Sequence, residues 1–463
     1  MQTMAPVVVQ GTAVSPPQAV DVGYGDNQAT TTAVTEHEPK KTGCKDPIFA
    51  ILFYVNIIAI VVVAVTYGKD LSSSSESLDY EELIYASLVF GVASLVFSGG
   101  GLLFLLQYPS FMIKAGLILT IVLSLAWAAY AFIIGQYIMG AIGAFFFLLT
   151  LCYVKAVWSR IPFAVINMVT AATAIKANLG VCVFAIFFSL LQVGWLVVWT
   201  VAFTGVYNST TANCVDDCNM NYGFLFLLLL SLFFTQQVLQ ACVHVTVAGT
   251  VGTWSGCCSR GVCNAFIRTV TTSFGSICFG SLLVAILQAL RALASAARGN
   301  GDGNFLACIA ECILGCLASI LEYFNKWAYI YVGIYGYSYM ESGKAVMQLF
   351  ADRGWDAVIA DDLVGNAIFL TSVVAGLFIG AIGVGYASAN SSFSDLAGGS
   401  GWAAFLIGLL AGLCICSILL STVASGVNTV IVMFADAPRE FQANHPELSQ
   451  KMTSTWNQFY PYV

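Results

Sequence analysis

Apolar residues in this chain come in long unbroken runs, without the short alternations of water-facing strands or the one-sided stripe of a surface helix. The runs cover residues 47–67, 84–106, 111–134, 137–154, 180–206, 222–251, 271–293, 304–321, 364–387 and 401–434. A helix crossing a hydrocarbon core about 30 Å thick needs about 17–25 apolar residues, and each run meets that. Inside lipid a chain must satisfy its backbone internally, so runs of this length specify helices. The pattern predicts an all-α polytopic integral membrane protein with about ten transmembrane helices.

Two stretches break the pattern. Residues 160–177 are moderately apolar but carry Arg160, Pro162 and Lys176, which predicts an inner-face amphipathic helix lying along the membrane. Residues 323–350 hold Tyr323, Tyr329, Tyr331, Tyr335, Tyr337 and Tyr339 together with Lys326, Glu341 and Lys344. Tyrosine favours the membrane–water boundary, so this segment is expected as inner-face helices or a partly buried re-entrant piece; an eleventh crossing is the alternative. The runs leave a disordered N-terminal tail at 1–46, a membrane domain at 47–434 and a C-terminal tail at 435–463.

Composition agrees with the pattern. Of 463 residues 59% are hydrophobic and 9% charged, against about 25% charged in soluble domains. The net charge of −7 and the dispersal of 17 basic residues exclude a nucleic-acid footprint. Lys40, Lys41 and Lys45 precede the first run, which places the N-terminus in the cytoplasm. Ten crossings then return the C-terminus to the cytoplasm and leave only Lys69, Arg291 and Arg298 on the outer side. The two Asn-x-Ser/Thr sites, at Asn208 and Asn390, fall in outer loops and are candidate glycosylation sites. Cys214 and Cys218 share one of those loops, where a local disulfide is expected. Cys257, Cys258 and Cys263 flank a membrane run and are candidates for palmitoylation. Cys308, Cys312 and Cys316 recur on one helix face; three thiols cannot complete a zinc site, and close helix packing is the better reading. Packing is also expected of Ser273, Gly275, Ser276 and Gly280, and of Gly376, Gly380, Gly383 and Gly385. No metal site or cofactor is indicated. There is no phosphate-cradling Gly-x-x-x-x-Gly-Lys run, no paired catalytic carboxylates and no HExxH motif, so the chain does not read as an enzyme or an ATP-driven pump.

The chemistry lies inside the runs. Gln236, Gln240 and His244 follow at intervals of four, with Gln237 beside them. Such a ladder either bonds neighbouring helices or lines a solute path. Gln192, Trp195 and Trp199 share a face of the preceding crossing, joined to the ladder's helix by a short loop, so the two are expected as antiparallel neighbours. Trp254 and Tyr335 approach from the inner side. His244, the one histidine within the runs, is either a neutral hydrogen-bonding imidazole or a proton-exchanging group. Glu311 is an acid within a crossing, which attracts a cation or is held by a partner.

Five stretches, in order, resemble one family: RIPFA at 160–164, HVTVAGTVGTW at 244–254, SFGSICFGSLL at 273–283, EYFNKWAYIYVGIYGYSYMESGK at 322–344 and DAPREFQANHPELSQKM at 436–452. Together they resemble the choline transporter-like proteins, in particular the fungal and protist branch called pH nine-sensitive proteins. The chain departs from the pattern in a short first outer loop and in Met340-Glu341-Ser342-Gly343, where Cys-x-Ser-Ala is frequent. The resemblance implies plasma-membrane transport of choline or a related organic cation by the 47–434 domain, gradient-driven or proton-coupled. A quaternary ammonium is held by aromatic faces, and Trp195 is the expected cage residue, set against the amide ladder. The alternative is a scaffold or lipid-headgroup-binding protein that moves no solute. Oligomeric state is not legible in the sequence.

Overall fold

The computed structural model describes residues 43–67, 80–212, 222–254, 261–298, 305–353, 356–390 and 401–459. The expected disordered tail up to residue 42, the Cys214–Cys218 disulfide and the Cys257–Cys258 pair lie outside the described residues. Within them the chain is helical, with no strand. Ten helices are long and apolar enough to cross a membrane: α1 (Pro47–Tyr67), α2 (Tyr80–Gln107), α3 (Pro109–Ile133), α4 (Tyr137–Val157), α6 (Gly180–Ala212), α7 (Tyr222–Trp254), α9 (Phe274–Arg298), α10 (Phe305–Tyr335), α12 (Asp356–Ala389) and α13 (Gly401–Asp436). Between and after them lie α5 (Ile161–Ala177), α8 (Val262–Val270), α11 (Tyr339–Arg353), α14 (Pro438–Asn444) and α15 (Pro446–Phe459). The all-α polytopic architecture and the ten crossings therefore hold.

Large apolar side chains point outward along α1, α4 and α6, among them Ile51, Ile58, Phe145, Leu148, Val193 and Val197. Lipid is as apolar as they are, so their exposure carries no penalty in a bilayer. The interior is formed chiefly by α5, α7, α9, α10 and α13, whose buried residues make one continuous cluster.

Small residues bring the axes together. In the seam between α12 and α13, a Cβ added to Gly412 would stand 2.9 Å from the Cα of Gly376, and one on Gly383 would stand 2.5 Å from the carbonyl oxygen of Ala404. Gly380 meets Phe405, whereas the space beside Gly385 is open. At Gly280 on α9 the crowding is by side chains: a Cβ there would lie 2.6 Å from the Tyr329 hydroxyl. Gly275 faces the backbone of Lys45 and Asp46. The Asp46 carboxylate accepts hydrogen bonds from the Ser276 hydroxyl (2.7 Å) and the Tyr339 backbone N–H (3.0 Å), tying the start of α1 to the starts of α9 and α11.

Of the two stretches that break the apolar pattern, the first forms a separate helix as expected, and the second divides between the end of a crossing and the short helix α11. The first, now α5, opens after the short turn Trp158–Arg160 with Pro162 in its first turn. It buries ten residues, including Asn167, Met168 and Ala171, against its neighbours, while Pro162, Val165, Ile166 and Val169 form an open side that lines a cavity. In the second, residues 323–335 are the second half of α10, a single 31-residue helix. They belong to the eighth crossing, which ends at Gly336 in the left-handed region (φ 71°). The tyrosines lie in the core instead of at a boundary: Tyr331 is 1% exposed and neighbouring Trp327 0%. Crossing the bundle with tyrosines is feasible because their hydroxyls find partners, as Tyr329 does on Ile277 and Ser281. Cys308, Cys312 and Cys316 are exposed, facing away from the bundle, so they do not pack a helix pair.

Candidate functional site

An ideal helix advances 100° per residue, so a four-residue step drifts by roughly 40°. Over Gln236, Gln240 and His244 that drift becomes large enough to divide the ladder. Gln237, Gln240 and His244, at spacings of three and four, form the coherent face. All three line a cavity of about 440 Å³ near the middle of α7, completed by α9, α10 and α13. Gln236 turns the other way and donates to the backbone oxygen of Gln192 on α6 (3.3 Å). The volume falls in the range of about 300–1,000 Å³ typical of small-ligand sites.

α10 supplies the facing wall. Ser319, Glu322, Tyr323, Lys326 and Tyr329 recur at intervals of three and four on one side of this helix, and all line the cavity, as does Asn325. Gln288 of α9 donates to the Glu322 carboxylate (2.5 Å). Ser421 and Ser425 enter from α13.

The lower wall is rigid because each polar group is bound across helices. Asn325 donates to the Gly280 carbonyl oxygen (2.8 Å), and its own oxygen accepts from the Tyr339 hydroxyl (2.6 Å). Burial pushes the Tyr339 phenol up to about 12, so it remains a donor at physiological pH. Tyr329 donates to the Ile277 carbonyl oxygen (3.2 Å) and meets Ser281 (3.0 Å). His244 spans the cavity floor. Its Nε2 lies 2.7 Å from the Lys326 backbone oxygen and its Nδ1 2.5 Å from the Ser425 hydroxyl. A carbonyl oxygen only accepts, so Nε2 carries a proton.

The remaining expected site residues lie elsewhere. Trp195 is buried with Ile60, Ala202, Val206 and Leu228 between α6, α1 and α7, and its indole N–H has no partner among the described residues. Trp199 donates to the Leu228 backbone oxygen (2.8 Å) and stacks on Phe203. Neither tryptophan lines the cavity, and Gln192 meets the ladder only through its backbone. Trp254 stacks on His445 at 3.8 Å between ring centroids, while its backbone oxygen accepts from His445 Nε2. Tyr335 is buried between Tyr331 and Tyr337. Glu311 sits about three turns from Glu322 on α10 and is not part of the cavity wall. Asn208 lies in the final turns of α6 and Asn390 directly follows α12.

The profile of the family described as plasma-membrane choline transporter matches residues 137–439, which include every residue of the cavity. The chain belongs to the choline transporter-like family. Its relatives include a Protein PNS1 of Cryptococcus neoformans, 32% identical over 417 residues, spanning 85% of this chain and 74% of that protein. A Protein PNS1 of Debaryomyces hansenii is 29% identical, over 90% of this chain and 89% of the relative. A CTL-like protein of Dictyostelium discoideum is 28% identical, over 93% and 79%. This is an integral membrane protein of a transporter-like family, and the family suggests a small organic cation as its substrate.

Glu322, Tyr323, Asn325, Lys326 and Tyr329 are the wall that a reading of single runs misses. The signal was present: polar residues at three- and four-residue spacing continue past residue 321, where the hydropathy of the eighth run falls. The run ended there because the α10 face toward the cavity is polar, not because the helix stops.

Proposed function

We propose that this protein carries choline or a closely related organic cation across the plasma membrane through the cavity between α7, α9, α10 and α13, with both termini in the cytoplasm. The observation that carries this reading is that Glu322 lines the same cavity as Gln237 and Gln240, near the middle of the spanning helices. An acid at membrane depth has a strong preference for a cationic partner. Tyr323 and Tyr329 offer the aromatic faces on which a quaternary ammonium rests. Gln240 supplies an amide for the substrate hydroxyl. Lys326, one helical turn from Glu322, lies at the spacing of an intrahelical ion pair, and in this reading it neutralises the carboxylate between substrates.

His244 suits the proton-coupled form of the mechanism. The Ser425 hydroxyl can donate to Nδ1 of a neutral ring and accept from Nδ1–H of a charged one. The imidazole can therefore gain a proton without losing either partner. The bias of basic residues toward one side supports the cytoplasmic placement of both termini.

Counterflow of labelled choline into vesicles containing only the purified protein tests the reading. Accumulation driven by internal unlabelled choline is the expected result. Vesicles that bind the protein correctly but show no counterflow with choline, or with any quaternary or primary alkanolamine, would overturn it in favour of a non-transporting scaffold.

A further inference from the structure

A second cavity, of about 620 Å³, opens where the start of α3, the turn after α4, α5 and α15 meet. It is unrelated to the cavity between α7 and α10, and what crosses there does not bear on it. α3 begins at Pro109 and α4 ends at Val157, so the second cavity lies at a membrane boundary. Trp158 on its rim is 44% exposed, as expected of an aromatic residue at headgroup level.

Its chemistry is divided in two. Lys114 enters from the second turn of α3 and Lys451 from α15, with the hydroxyls of Ser110 and Ser159 near them, while those of Ser454 and Thr455 donate to the Lys451 backbone oxygen. Among the described residues no carboxylate lines it. The opposite wall is apolar, made by the side of α5 that bears Ile166. The α15 side is held firmly: Met452 is fully buried, and Trp456 packs on Phe163 and Phe434 at 5.0 and 4.8 Å between centroids. Lys451 and Ser454 lie off that buried face, so docking of the helix presents them to the cavity.

Two ammonium groups with the Ser110 and Ser159 hydroxyls, above an apolar wall, match a phosphate joined to an acyl chain. We propose that this cavity holds the phosphate of an anionic phospholipid headgroup, with the apolar α5 wall meeting the upper acyl chain. A soluble phosphate would use the lysines and leave that wall bare, which is why the lipid is favoured.

The test uses the full chain in phosphatidylcholine nanodiscs containing a small fraction of photoreactive phosphatidic acid. Labelled peptides from α3, α5 and α15 are the expected products. The double variant Lys114→Gln, Lys451→Gln should lower probe affinity roughly 30-fold, because each lysine near an anionic headgroup contributes roughly fivefold. Lys451→Arg should label like the parent, which shows that α15 still docks. Lys344→Gln, which removes an exposed lysine of α11 outside this cavity, should change nothing. Equal labelling of these peptides in the double variant would overturn the proposal. So would displacement of the probe by millimolar inorganic phosphate, which would make a soluble phosphate the occupant.

Discussion

α7 meets two different neighbours. Toward α6 it faces Trp195 and Trp199, packed with Ile60 and Leu228, and its one amide on that side, Gln236, is bonded to a backbone oxygen. Toward α10 it faces a carboxylate, a lysine and two tyrosines across a cavity. The aromatic side is the more suggestive in the sequence, because tryptophan is the best cation–π partner. The polar side is the one with room for a ligand. Residue type therefore ranks candidate sites less well than empty space does: an aromatic ring closed in by aliphatic side chains has no face left to offer.

The largest effect expected from this contrast is at Glu322. Glu322→Gln keeps the shape and removes the charge, and choline transport should fall roughly 100-fold or more in kcat/KM, as expected when the carboxylate that attracts the cationic substrate is lost. A loss below about fivefold would remove the carboxylate from the site. Next in size is Tyr323. Tyr323→Leu should weaken choline binding roughly 30-fold and Tyr323→Phe by about threefold or less, since Phe keeps the ring face. Equal behaviour of the two variants, read by isothermal titration in detergent, would reduce Tyr323 to packing.

The amides give a smaller and sharper comparison. Gln240→Leu should raise KM for choline about fivefold to tenfold through loss of one hydrogen bond, whereas Gln236→Leu should leave KM unchanged, its amide being turned toward α6. A rise in both would show that the two faces of α7 act as one. Smallest in its effect on transport is Trp195→Leu. This change should lower the thermal midpoint of the purified protein through lost packing and leave choline affinity unaltered. A selective loss of affinity with an unchanged midpoint would return the cage to α6.

Much of the fold was legible because each crossing is declared locally. The length of an apolar run and the need to satisfy the backbone in lipid decide a helix with no reference to its neighbours. Gly376, Gly380 and Gly383 likewise announced a close seam, and the α12–α13 contact uses all three. The site was only half legible. Gln237, Gln240 and His244 could be read from α7 alone, but their partners on α10 sit beyond the point where hydropathy declines. Tyr331 and Tyr335 were misleading for a related reason: aromatic composition suggests a boundary, whereas burial is decided by which helices surround them.

The sequence by itself determined the solvent of this protein, the number of its crossings and the polar face of α7, all of which follow from the periodicity and free energy of a single helix. Only the tertiary structure decided which residues share a cavity. Helices in lipid associate through shape and a few hydrogen bonds, with no hydrophobic driving force between them. Their partners and rotations are therefore set by small residues and cross-helix bonds such as Asn325 to Gly280 and His244 to Ser425. Those contacts join positions 45 and 181 residues apart in the chain; Glu322 lines the cavity they help to build, while Trp195 is packed in a separate cluster.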